Sequence, residues 1–129
     1  MLITISRYIE RLALEQDGGK HRASFQYLSR INDEQGTKTV YERLANSSTN
    51  VHIYGIPDWN PPSEVNFTIH SGRNTDFRNV WFVMHIPDDK SLRYAALVAI
   101  QQEPGTWDGV WTYDENRVRA INHYIERNL

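Results

Sequence analysis

The hydrophobic period of this chain changes near residue 50, and that change limits the folds open to it. Before it, Ile5, Tyr8, Ile9 and Leu12 stand at i, i+3, i+4 and i+7, one apolar stripe of a helix. Arg7, Glu10, Arg11 and Glu15 take the other face. Asp17-Gly18-Gly19 is a stop signal. After residue 50 the period is two. Val51, Ile53 and Gly55 point one way, and His52, Tyr54 and Ile56 the other. Val65, Phe67 and Ile69 alternate with Asn66, Thr68 and His70, a half-buried strand.

Other segments fill in around these. Ala23 to Leu28 alternates loosely and reads as a strand leading into a loop over Asn32 to Gly36. Thr39 and Glu42 have the spacing of a capping box, so a helix of two or three turns is expected, carrying Val40, Tyr41 and Leu44 inward and fading at Asn46. Pro57 to Pro62 must be a loop, because a proline run cannot continue a sheet. Ser71 to Asp76 reads as a turn region. Val80 to Ile86 is nearly all apolar, as a central strand would be. Pro87 to Lys90 reads as a hairpin turn, followed by a strand over Tyr94 to Gln101. Pro104-Gly105 turns the chain into a last strand, Thr106 to Thr112. Asp114 is placed to cap a final helix whose inner stripe is Val118, Ile121 and Ile125, with Ala120 and Tyr124 beside it.

The expected architecture is one α+β domain spanning residues 1–129. It has a mainly antiparallel sheet of about five strands, with the N-terminal and C-terminal helices packed on one face. A chain of 129 residues buries roughly 65–70% of its unfolded surface, so it needs no staple. There are no cysteines, which excludes disulfides, thiol catalysis and Cys-ligated zinc or iron–sulfur centres. The net charge is −2 and no basic run occurs, so direct nucleic-acid binding is not expected. No apolar run approaches the roughly 20 residues that span a bilayer. A cytoplasmic domain is the expectation.

No stretch carries a known catalytic motif. His52, His70 and His85 fall on three expected strands, and a three-histidine metal site is conceivable. Their spacing lacks an i,i+4 or H-x-H pattern, so surface or cross-strand roles explain them better. Asp88/Asp89 and Asp114/Glu115 suit turns and caps. The aromatics carry more signal. Trp107, Gly109 and Trp111 share strand parity, so both indoles face one side, roughly 13 Å apart. Gly109 between them leaves room either for a ligand or for packing under a helix. Trp59 follows Pro57-Asp58 in a loop, where a core role explains it less easily. Tyr54, Asp58, Trp59, Trp107 and Trp111 are therefore the candidate ligand-binding residues, with aromatic faces to stack and Asp58 to orient.

Several of these stretches, taken in order, resemble the DICT family of sensory domains, found in diguanylate cyclases and two-component proteins. Ile5-Ser6-Arg7-Tyr8-Ile9-Glu10 resembles its opening helix, Phe25-Gln26 its F-Q pair, and Tyr41 to Ala45 its Y-R-E-L-A helix. The Val51–Asp58, Trp81 and Ala95–Ile100 strands and Val110 to Asp114 follow in family order. The segment over Asn32 to Thr37 is more broken than the family's helical stretch. The resemblance implies a non-enzymatic signal-input domain, linked to light responses. It implies output partners such as a histidine kinase, a GGDEF domain or a DNA-binding module. It names no cofactor and no catalytic residue. Two other readings stay open: an interaction or homodimerisation module without a small ligand, and a small metal-dependent hydrolase using His52, His70, His85 or Asp108.

Overall fold

The computed structural model describes residues 2–32, 36–61 and 66–129. Helix α1 (Leu2–Gln16) opens the chain and leads into strand β1 (Lys20–Tyr27) and a 3-10 turn (Leu28–Asn32). Helix α2 (Thr37–Ala45), strands β2 (Asn50–Ile56) and β3 (Phe67–Ser71), and a short helix α3 (Thr75–Asn79) follow. Strands β4 (Val80–Ile86), β5 (Ala95–Glu103) and β6 (Thr106–Thr112) precede the closing helix α4 (Glu115–Asn128). Among the described residues, no helix is long and apolar enough to cross a membrane.

The sheet has six strands in the order β3-β2-β1-β4-β5-β6. It is mixed rather than a five-strand antiparallel sheet. β1 and β2 are parallel, and so are β2 and β3. β1 pairs antiparallel with β4, β4 with β5, and β5 with β6. Connection length explains the division. Parallel neighbours need a crossover, and α2 is the crossover from β1 to β2. Pro104-Gly105 is short enough only for a hairpin, with Gly105 at φ 83.

Helices cover both faces of the sheet, not one. On the first face Ile9 and Ala13 of α1 and Tyr41 and Leu44 of α2 pack on Ala23, Ile53, Val83 and Leu97. On the second face Phe77 of α3 and Val118 and Ile125 of α4 pack on Tyr54, Phe82, Met84 and Ala96. The alternation of adjacent residues such as Phe82 and Val83 sends one side chain to each core. A strand covered on both faces loses the plain in–out pattern, as β2 does.

Local signals fared unevenly. The α1 stop holds: Asp17, Gly18 and Gly19 all have positive φ. A β-carbon on Gly19 would lie 2.2 Å from the Ile86 carbonyl oxygen, so only glycine permits β1 to start there. Asp114 caps α4, its side chain accepting from the Arg117 N–H. The Thr39 capping box does not form. Helix α2 starts three residues earlier than that box implies, with Gly36 at its N-cap and no side-chain cap bond. The turn expected over Ser71 to Asp76 holds the end of β3 and the start of α3, which Asn74 caps. Ala120 and Tyr124 of α4 face water. Of the expected Asn32–Gly36 loop, residues 33–35 lie outside the described residues, as does Val65.

Candidate functional site

The largest departure from the helical pattern is in α1. Its buried residues are Ser6, Ile9, Glu10 and Ala13, one position on from the expected stripe. That is a rotation of about 100° at 3.6 residues per turn. Glu10, expected on the outer face, is 3% exposed. Its neighbours explain why this is tolerated. The Arg7 guanidinium donates to the Glu10 carboxylate at 3.1 Å and also donates to the Thr37 hydroxyl at the start of α2.

These residues line a cavity of about 490 Å³ between α1 and the first face of the sheet. Ser6, Arg7 and Glu10 form the α1 wall. Phe25, Trp81 and Trp107 supply aromatic surface from β1, β4 and β6. Gln26 lines it too, at a β-bulge in β1 where its φ is 61. A non-glycine residue in the left-handed region needs support from its surroundings. Here the Gln26 amide N–H donates to the Arg78 carbonyl at 2.7 Å.

Behind Glu10 a polar chain continues into the core. The Tyr41 hydroxyl bonds to Glu10 and lies 3.2 Å from His21 Nε2. His85 lies beyond, its ring centroid 6.0 Å from that of His21. Burial pushes the Glu10 carboxyl up, against the lowering effect of Tyr41 and Arg7. Burial and the Glu10 charge push the Tyr41 hydroxyl well up. Burial, with His85 beside it, holds His21 down at about 3, and burial holds His85 at about 4. Both imidazoles are therefore neutral at ordinary pH. Among the described residues, neither His85 ring nitrogen has a hydrogen-bond partner, nor does His21 Nδ1.

The second face carries another cluster. His52 Nδ1 and His70 Nε2 are 2.9 Å apart, and Tyr54 stacks on His70 at 4.3 Å between centroids. Buried Arg22 of β1 donates to the Tyr54 hydroxyl and to Asn122 of α4 at 2.6 Å, and lies 3.8 Å from Glu126. Burial, then the Arg22 charge, holds His52 at about 4 and lowers His70. The three histidines considered for a metal do not meet, because His85 lies on the first face. Among the described residues, no group of three or more His, Asp or Glu side chains is arranged to hold a metal ion. The Arg22 charge beside His52 and His70 also disfavours a cation there.

The five candidate ligand residues are spread over the fold. Trp107 lines the cavity. Trp111 shares its face but is 47% exposed. The space at Gly109 between them is taken by Leu2 of α1, so packing accounts for that glycine. Tyr54 is buried on the opposite face. Trp59 is half-buried against the first core. Asp58 accepts from the Ser29 N–H at 2.9 Å and the Ser29 hydroxyl at 2.6 Å, which holds its carboxyl below the usual range and pins the loop after β2. Sequence reasoning missed Ser6, Glu10, Thr37 and Trp81. The available signal was the i,i+4 pair Ser6/Glu10 inside the opening-helix motif.

The structure is a mixed α+β fold with a lined cavity beneath its first helix and, among the described residues, no metal-binding cluster. The family comparison agrees with a sensory class of protein. Residues 1–103 match the model of the DICT family, the sensory domain in diguanylate cyclases and two-component systems, and the chain belongs to that family. The match takes in α1 through β5; the Val110–Asp114 motif lies beyond it. No curated protein and no solved structure matches the chain.

Proposed function

We propose that this domain is a non-enzymatic signal-input module that reads a small molecule in the cavity beneath α1. Occupancy favours one seating of α1 against the sheet, and that population shift is the signal. The observation that supports this most is the cavity itself. A buried carboxylate, its guanidinium partner and three aromatic side chains face one space of a size suited to a small ligand. The proposed site keeps Trp107 from the sequence reading and adds Glu10, Arg7, Phe25 and Trp81. Tyr54, Asp58, Trp59 and Trp111 lie off the cavity and have structural or surface roles in this proposal. Signalling output modules are the partners, and a light response is part of the proposal only if the bound molecule absorbs visible light.

Native mass spectrometry of the protein purified from cells, with an ultraviolet–visible spectrum, tests this. The expected result is an added mass that is lost on denaturation and absent from Trp107→Ala. A bare polypeptide mass from the unaltered protein would overturn it.

One observation favours a second reading. β6 is an outer strand of the sheet, and its Val110, with Ile100 of neighbouring β5, is exposed on the sheet's second face, at 69% and 48%. An edge strand with apolar side chains, unpaired on its outer side among the described residues, suits pairing with a second copy or an output domain. Sedimentation that depends on protein concentration would support that reading.

A further inference from the structure

We propose that the cavity beneath α1 takes a neutral, planar nitrogen heterocycle that presents a lactam edge, an N–H beside a C=O, to Glu10 and Thr37. This rests on the cavity being the ligand site. Three features of the cavity argue for this class.

The first is shape and surface. Phe25, Trp81 and Trp107 give the cavity flat apolar walls, against which a planar ring system stacks. The second is charge. Arg7 and Glu10 stand 3.1 Å apart and balance each other inside the cavity. Arg30 also lines the cavity, but at its exposed edge, where water screens its charge and its guanidinium lies over the Tyr27 ring at 5.6 Å. A ligand with a net charge would bury an uncompensated ion against this balanced pair.

The third is the order of donors and acceptors. One guanidinium bridges the Glu10 carboxylate and the Thr37 hydroxyl, so these two groups sit side by side. Both residues are buried and both line the cavity. A carboxylate is acceptor-only when ionised and has lone pairs beyond those used by Arg7 and Tyr41. The Thr37 oxygen accepts from Arg7, which leaves its own O–H as a donor. An acceptor beside a donor is the complement of a lactam: its N–H goes to Glu10 and its C=O to Thr37. A free carboxylic acid fits less well, because its charge would fall beside that of Glu10.

Lumazine, a flat two-ring lactam, and its N,N-dimethyl derivative form a matched pair of probes. Each is titrated into the isotope-labelled protein while the four tryptophan indole N–H signals are followed by NMR. Lumazine should shift the Trp81 and Trp107 signals saturably and leave Trp111 in place. The dimethyl derivative, which lacks the N–H, should bind about tenfold more weakly or worse, since Glu10 is then left facing a methyl group. Equal binding of the two would overturn the lactam assignment and leave the cavity as an aromatic-binding site. No shift from either would also overturn it, and the native mass spectrum then decides separately whether the cavity holds any ligand.

Discussion

Gly109 of β6 faces Leu2 of α1 so closely that a β-carbon on the glycine would lie 2.7 Å from a Leu2 methyl carbon. The same β-carbon would meet Ala99 on β5 at 3.5 Å. The first turn of α1 is therefore seated in a hollow made by two small residues on neighbouring strands. Leu2 also forms part of the cavity wall, so this contact ties the position of α1 to the shape of the site.

Gly109→Val should fill that hollow and push Leu2 aside, lowering stability by about 1–3 kcal/mol, the usual cost of overpacking. Leu2 is a flexible side chain at the start of its helix, so Leu2→Ala should restore most of the loss. Urea unfolding of both single variants and the double variant reads this coupling. Simple addition of the two costs would show that the hollow is not shared.

Glu10 has a pH signature. Its carboxyl is raised in the folded protein from an ordinary value of 4.5, chiefly by burial. The folded state then holds a proton that the unfolded chain releases. Its contribution is complete below about 4.5 and is lost as pH rises through the raised value. Glu10→Gln cannot ionise there. The stability of the unaltered protein relative to Glu10→Gln should therefore fall as pH rises from 4.5 toward neutral, read by urea unfolding at each pH.

Three histidines have the opposite sign, His21 and His85 buried and His52 half-buried. His21 is held at about 3 and His52 and His85 at about 4, against an ordinary 6.5. The unfolded chain takes up these protons first, so their contribution is present above 6.5 and drains away as pH falls toward 4. Among the described residues, His85 has no hydrogen-bond partner for either ring nitrogen. His85→Leu should shallow the acid limb without loss of stability at neutral pH, because it removes unsatisfied buried polar atoms. A clear loss at neutral pH would mean those nitrogens are satisfied in solution.

Arg22→Met should loosen α4 selectively. The arginine joins β1 to Asn122 and Glu126 and also bonds Tyr54. Losing it strands the buried Tyr54 hydroxyl and frees Asn122 and Glu126, at a cost of about 1–3 kcal/mol. Amide hydrogen exchange should quicken along α4 while β1 and β4 stay protected. Uniform acceleration across the domain would show that Arg22 supports the whole fold instead.

Much of this was legible in the sequence because it is local chemistry. The Asp17-Gly18-Gly19 stop, the apolar run of β4, the bounds of β6 and the Asp114 cap depend on neighbours a few residues away. The Thr39 capping box misled because Thr39 and Glu42 have the right spacing on a helix that already started at Thr37. Trp107 was singled out for its composition-rich strand, and it does line the cavity. Glu10 was passed over because a carboxylate on an amphipathic helix is normally solvated, and its partner Tyr41 lies 31 positions further on.

By itself the sequence determined where most of the helices and strands form, the absence of cysteine chemistry, and membership of a sensory family. Period, caps and turns act over one or two turns of chain, so they can be read without a fold. Only the tertiary structure decided the parallel half of the sheet, the split of helices between two faces, and the side of α1 that turns inward. Those outcomes depend on which distant surfaces meet. Burying Glu10 is tolerable only once Tyr41 and Arg7, itself held by Thr37, converge on it, and no local pattern records that convergence.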